Sequence, residues 1–212
     1  MIIHFDMKYA LRDKAAELRR RHILEAATTV FALRGYHRTT IRDIAATAGV
    51  ADGTIYRVFE NKAAILVGLL DPLDDRSAPL PSPDLEIDPE VFIRSMLGDA
   101  WRRFTPPVLD ALRIVMSEAL VDASLRAMYI ERIIAPAIVL PTPVIERLVA
   151  TKRLAPVQPA LVVRALISAV MGFVVLRLLG EPWVVERWES IPEHVSDLLM
   201  RGLLPIEADE KR

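Results

Sequence analysis

Residues 39–59, TTIRDIAATAGVADGTIYRVF, constrain this chain more than any other stretch, because their spacing suits two short helices joined by one tight turn. Ala45 is small where the two helices pack closest. Gly49, four residues on, permits the left-handed backbone that the turn requires, and Ile55, six further, plugs the second helix onto the first. Thr40 followed by Asp43 is a capping-box-like start, so the first helix begins near Thr40. The second helix would turn Asp52, Thr54 and Arg57 outward, with no apolar stripe to bury. This is the pattern of a helix-turn-helix, and the polar second helix is a candidate major-groove reader.

The residues around the turn extend the pattern. Ile23, Ala26, Ala27 and Phe31 suit the inner face of a first helix that ends at Arg34-Gly35-Tyr36. Thr39-Thr40, Asp43-Ile44-Ala45, Gly53-Thr54-Ile55-Tyr56, Phe59 and Lys62 follow in order. With these residues, the segment 19–70 resembles the DNA-binding domain of the TetR/AcrR family of transcriptional regulators. Two positions depart from the family pattern. Ala51 stands where a capping Ser is usual, which should weaken that cap by about 1 kcal/mol. Asp52 offsets part of this through the helix dipole. Ala64 stands where a Glu often follows the lysine.

The resemblance implies that Arg42, Asp52, Gly53, Thr54 and Arg57 face the bases or the adjacent backbone, and that Thr40, Tyr56 and Lys62 hold phosphates. The chemistry agrees. A guanidinium can fork onto guanine, Gly53 lets backbone approach a base edge, and a phenol, a hydroxyl and an ammonium all donate to phosphate oxygens. Asp52 is repelled by phosphate and suits the helix start, with acceptance from a cytosine amine as the alternative. For Tyr56 the alternative is a core tyrosine, and for Lys62 a solvated lysine behind an Asn61 cap.

Charge is distributed in the same sense. Residues 1–62 hold 11 Lys and Arg against 7 Asp and Glu, and residues 63–212 hold 16 against 21, so a net charge of −1 divides into +4 and −5. A basic half beside an acidic one is the electrostatic footprint of a nucleic-acid-binding segment. All 15 prolines lie from Pro72 onward, five of them between Asp71 and Pro89. The expected organisation is therefore an N-terminal tail at 1–18, the helix-turn-helix domain at 19–70, a Pro-rich connection at 71–88 and a second domain at 89–212. Met7 is a second candidate start. Cysteine is absent and no leader or lipidation motif appears, which points to the cytoplasm. Charge-free runs such as Ala165–Leu176 and Ile133–Ile145 are too short to span a membrane.

Apolar residues of the second domain recur at three and four, which predicts an all-α protein with further helices near 89–104, 107–121, 123–151, 158–179 and 191–204. Pro136, Pro141 and Pro143 should bend or break the third of these. Met96, Trp101, Phe104, Met116, Met128, Tyr129, Met171 and Phe173 suit an adaptable pocket for a small hydrophobic effector, or simply a core. Ala165, Ser168, Ala169 and Gly172 form a small-residue stripe, and Val195, Leu198, Leu199, Gly202 and Leu203 an apolar one. Packing within the chain would account for both stripes, but the family resemblance implies that these two helices pair with their mates in a homodimer. The expected protein is thus a homodimeric regulator, a repressor of a palindromic double-stranded operator, with a C-terminal effector-binding and dimerisation domain, no cofactor and no catalytic role.

Other functions fit less well. Asp71-Pro72-Leu73-Asp74-Asp75 superficially matches the aspartate clusters of helical prenyl-transfer enzymes, but no second acidic cluster completes a metal site. His4, His22, His37 and His194 lack metal-ligand spacing, and there is neither a phosphate loop nor a nucleophile motif. A protein-binding helical dimer with a solid second domain is the third reading. In the tail, Lys8, Arg12, Lys14 and Arg19-Arg20-Arg21 could reach a minor groove or flanking phosphates, though a disordered basic tail is the simpler expectation.

Overall fold

The computed structural model describes residues 3–74 and 88–204, with side chains from Lys14 to Leu73 and from Asp88 to Leu204. Within these residues the chain is helical, with no strand. The first helices are α1 (Ile3–Arg38), α2 (Ile41–Thr47), α3 (Asp52–Tyr56) and α4 (Lys62–Gly68), followed by a 3-10 turn at Asp71–Asp74. Next come α5 (Pro89–Arg102), α6 (Pro106–Ala119) and α7 (Ala123–Tyr129), then a π turn at Ile130–Ile134. The chain continues through α8 (Ala135–Val139), α9 (Thr142–Ala150), α10 (Pro159–Leu178), α11 (Pro182–Arg187) and α12 (Ile191–Leu203). Most of the expected Pro-rich connection, including Asp75 of the aspartate cluster, lies outside the described residues, as do the side chains of His4, Lys8 and Arg12.

Two compact units result. The first combines the chain up to Asp71 with Ile114–Tyr129, and the second combines Pro72–Arg113 with Ile130 onward, so α6 contributes its start to one unit and its end to the other. The backbone of α1 already starts at Ile3, which replaces the expected disordered tail with helix.

In the first unit, Ile23, Ala26, Ala27, Val30 and Phe31 recur at three and four along α1 and are buried, giving that helix its core face. The short α4 buries Ala63 to Gly68 entirely. It approaches α1 so closely that a Cβ at Gly68 would sit 3.0 Å from the Phe59 ring and 3.2 Å from the Leu24 side chain. The expected caps are present. Thr40 Oγ1 accepts from the Asp43 N–H at 3.2 Å while Asp43 Oδ2 accepts from the Thr40 N–H at 2.9 Å, and Asn61 Oδ1 accepts from the Ala64 N–H at 2.8 Å. Ala51 provides no side-chain cap for α3, as its sequence position implied.

The bond from the Thr40 hydroxyl, then its N–H and the Arg34 guanidinium, hold the Asp43 carboxyl below its ordinary pKa. A depressed folded pKa stabilises the fold above the unfolded value and loses that contribution as pH falls through the folded one. Thr40→Ala should therefore lower the urea midpoint at neutral pH and shift acid unfolding to higher pH. An unchanged acid midpoint would count against the box.

In the second unit, α10 packs against α5, α8, α9 and α11, and α12 packs along α5 with an Arg94–Asp197 ion pair between them. Asp88 caps α5 by accepting from the Glu90 and Val91 N–H groups at 2.9 and 3.0 Å, with Pro89 at the first turn, where its missing donor costs nothing. The long helix expected over 123–151 is divided, as its prolines required, into α7, the π turn, α8 and α9. Helix α11 was not expected. Its signal is Glu181-Pro182: Glu181 accepts from the N–H groups of Trp183 and Val184, and Pro182 opens the first turn.

Ala123–Ala150 and Pro159–Leu178 are long and apolar enough to cross a membrane by length and composition, which the charge-free runs alone did not suggest. Core helices of soluble proteins pass the same test.

Candidate nucleic-acid interface

The turn between α2 and α3 is built as its spacing demands. Gly49 has φ +63°, and the Val50 N–H donates to the Ala45 carbonyl at 3.0 Å. Ala45 and Ile55 are buried between the helices. The His22 imidazole of α1 donates through Nε2 to the Ala48 carbonyl at 2.9 Å and so anchors the same corner. Because Ile55 and Phe59 point inward, Asp52, Gly53, Tyr56 and Arg57 are left exposed and Thr54 half-exposed, while Arg42 is exposed on α2. A Cβ at Gly53 would meet nothing within 4 Å inside the protein, so its backbone is approachable from outside. Tyr56 is 58% exposed, which removes the core-tyrosine alternative.

Lys62 and Thr40 are placed differently from the rest of the expected phosphate set. The Lys62 ammonium donates to the carbonyls of Tyr36 at 2.7 Å, Thr39 at 2.8 Å and His37 at 3.4 Å, and lies 4.3 Å from the centre of the Tyr36 ring. Its three N–H donors are thus directed at carbonyls at and just beyond the end of α1. Burial pulls its pKa below the ordinary lysine value, and the Glu118 carboxylate opposes that pull. Glu118 also bonds His37 Nε2 at 2.7 Å, so the close of α6 joins the same cluster. Burial, aided by Asp122 and Glu118, raises the Tyr36 phenol above its usual pKa. The Thr40 hydroxyl likewise gives its proton to Asp43 Oδ2 at 2.7 Å, within the capping box.

The expected pocket residues do not gather in one unit. Met116, Met128 and Tyr129 belong to the first, where burial pushes the Tyr129 phenol up to about 12. Met96, Trp101, Phe104, Met171 and Phe173 belong to the second. There Trp101 is a core residue: its indole donates to the Trp188 carbonyl at 2.9 Å, and its ring lies 4.3 Å from that of Trp188 and 6.0 Å from that of Phe173. Phe104 is buried, and Met96, Met171 and Phe173 are half-buried.

Of the expected dimer residues, Ala165, Ser168 and Gly172 on α10 and Leu198 and Gly202 on α12 are exposed, and Ala169, Leu199 and Leu203 are half-buried. Val195 is buried within its own unit, against the expectation that it faces a partner, because the inner stripe of α12 runs through Ile191, Val195 and Met200. Leu161, Leu176 and Leu179 extend the exposed face of α10 at both ends.

Residues 23–69 match the model of the bacterial regulatory proteins of the tetR family. These residues form a tetR-family domain. It is 40% identical over 103 residues to the HTH-type transcriptional regulator TtgR of Pseudomonas putida, a match covering 47% of each chain. The chain thus spans about half the length of the curated relatives it matches. Two solved structures share the fold across nearly the whole length. One is a SmeT–triclosan complex, with a TM-score of 0.69 and 18% identity, covering 92% of this chain and 98% of that one. The other is the transcriptional regulator FadR of Bacillus subtilis with stearoyl-CoA, with a TM-score of 0.63 and 19% identity, covering 86% and 98%.

Sequence reasoning missed one feature of the TetR-family domain. A cleft of about 420 Å³ runs between α1 and the end of α3, lined by Ala16, Glu17, Arg19 and Arg20 on one side and Thr54, Arg57 and Val58 on the other. The signal was the run Arg19-Arg20-Arg21, which has no defined target until α1 lies beside α3.

Proposed function

We propose that this chain is a cytoplasmic, homodimeric transcriptional repressor that holds a palindromic operator and releases it when a small hydrophobic effector binds, with no catalytic turnover. In this reading residues 19–70 contact DNA, and residues 89–212 dimerise and receive the effector. The carrying observation is the outward edge from Asp52 to Arg57, presented by a capped, glycine-turned α2–α3 pair inside a TetR-family segment. The exposed small-residue face of α10 supports self-association, since helices with such stripes approach closely. A two-fold pair then meets half-sites spaced by about 34–36 Å or a multiple of that. Hydrophobic effectors are favoured because fold neighbours hold triclosan and stearoyl-CoA. An effector works only through preference for the DNA-incompetent arrangement, roughly 10⁴-fold for a nearly complete switch.

The test is fluorescence anisotropy on duplexes from the upstream region of the gene, with sedimentation equilibrium alongside. Salt-sensitive binding by a dimer, released by a hydrophobic ligand, is expected. Leu198→Asp, at a position 72% exposed, should yield monomers that bind the duplex at least tenfold more weakly. Dimers that ignore every duplex would refute the reading.

A further inference from the structure

We propose that the cleft between α1 and the end of α3 seats a backbone phosphate of the DNA, gripped by Arg19 and Arg57, so that Arg57 positions the duplex rather than reading a base. This rests on the DNA-binding reading above and assigns it a second contact surface.

The geometry separates the roles of the guanidinium groups at the cleft. Arg20 is committed within the unit: its Nε and a terminal nitrogen both donate to Asp71 Oδ2, at 2.9 and 2.6 Å, and it lies 4.5 Å from the centre of the Phe59 ring. Arg57 donates one terminal nitrogen to Thr54 Oγ1 at 3.1 Å, which ties it to the cleft wall and leaves its other donors uncommitted among the described residues. Arg19, exposed on the opposite wall, has no partner among the described residues. Two arginines with unused donors therefore face one opening beside the exposed edge of α3. That arrangement suits an anion with several acceptor oxygens, and a guanidinium recognises phosphate in a planar, two-pronged fashion. The occupant must carry phosphate next to a groove-reading helix, and a duplex backbone does so. Glu17, also on the wall, opposes such an occupant and sets a limit on its affinity.

The test compares wild type, Arg19→Ala, Arg57→Ala and Glu17→Gln on the upstream duplex and on an unrelated duplex of equal length, across a KCl series. Each arginine variant is expected to weaken binding about tenfold on both duplexes and to reduce the log–log salt slope by about 0.9. Glu17→Gln should tighten binding to both. Loss confined to the upstream duplex in Arg57→Ala, at unchanged slope, would make Arg57 a base reader and overturn the proposal. An Arg19→Ala variant indistinguishable from wild type would also overturn it, while leaving the DNA-binding reading standing. Wild type that binds neither duplex would defeat both.

Discussion

Lys62→Ala should lower the stability of the first unit by about 2 kcal/mol while leaving the salt dependence of DNA binding unchanged. The ammonium donates to three carbonyls at and just beyond the end of α1, and hydrogen bonds from a charged donor contribute about 1.5–3 kcal/mol each when desolvated. Partial exposure screens them, which is why the expected total stays near the value of one such bond. Removing the side chain also strips a cation from the Tyr36 ring and leaves Glu118 with His37 as its remaining partner in the cluster. Lys62→Met keeps much of the hydrocarbon stem over Tyr36 and should recover a fraction of the loss. A lysine that neutralised phosphate would behave oppositely: its removal would reduce the salt slope by about 0.9 and leave urea unfolding in place. Paired urea melts and salt titrations of the same variants separate the two roles.

A larger loss is expected from Trp101→Ala, on the order of 3–5 kcal/mol in the second unit, enough to unfold many domains of this size. Trp101 is 4% exposed, so truncation leaves a cavity where the ring met Trp188 and Phe173. It also abandons the buried Trp188 carbonyl that the indole N–H satisfies. Trp101→Phe should restore most of the packing but not the donor, and fall between the two. Were Trp101 instead the wall of an open effector site, truncation would alter ligand affinity with little change in the melting temperature.

The reading edge was legible in the sequence because each of its features is local. A Thr-x-x-Asp box, a glycine in the left-handed turn and an isoleucine one helix later act across a few residues, and all three take the expected positions. Helix periodicity located α5, α6, α10 and α12 to within a few residues for the same reason. The short α11 escaped because a six-residue helix has too few turns for a period to show. Lys62 illustrates the opposite limit. Its sequence position suggested a phosphate contact, but the carbonyls it meets belong to residues 23 to 26 positions earlier.

What the residue order settled, then, was the all-helical class, the capped turn and the outward residues of α3, since these follow from backbone sterics and side-chain capping over one or two turns. Folding in three dimensions settled the rest. It recruited Ile114–Tyr129 into the N-terminal unit, turned Lys62 inward, buried Val195 and Trp101, and opened a cleft between Arg19 and Arg57. Such outcomes depend on which distant surfaces must cover one another to exclude water, a condition that no local pattern encodes.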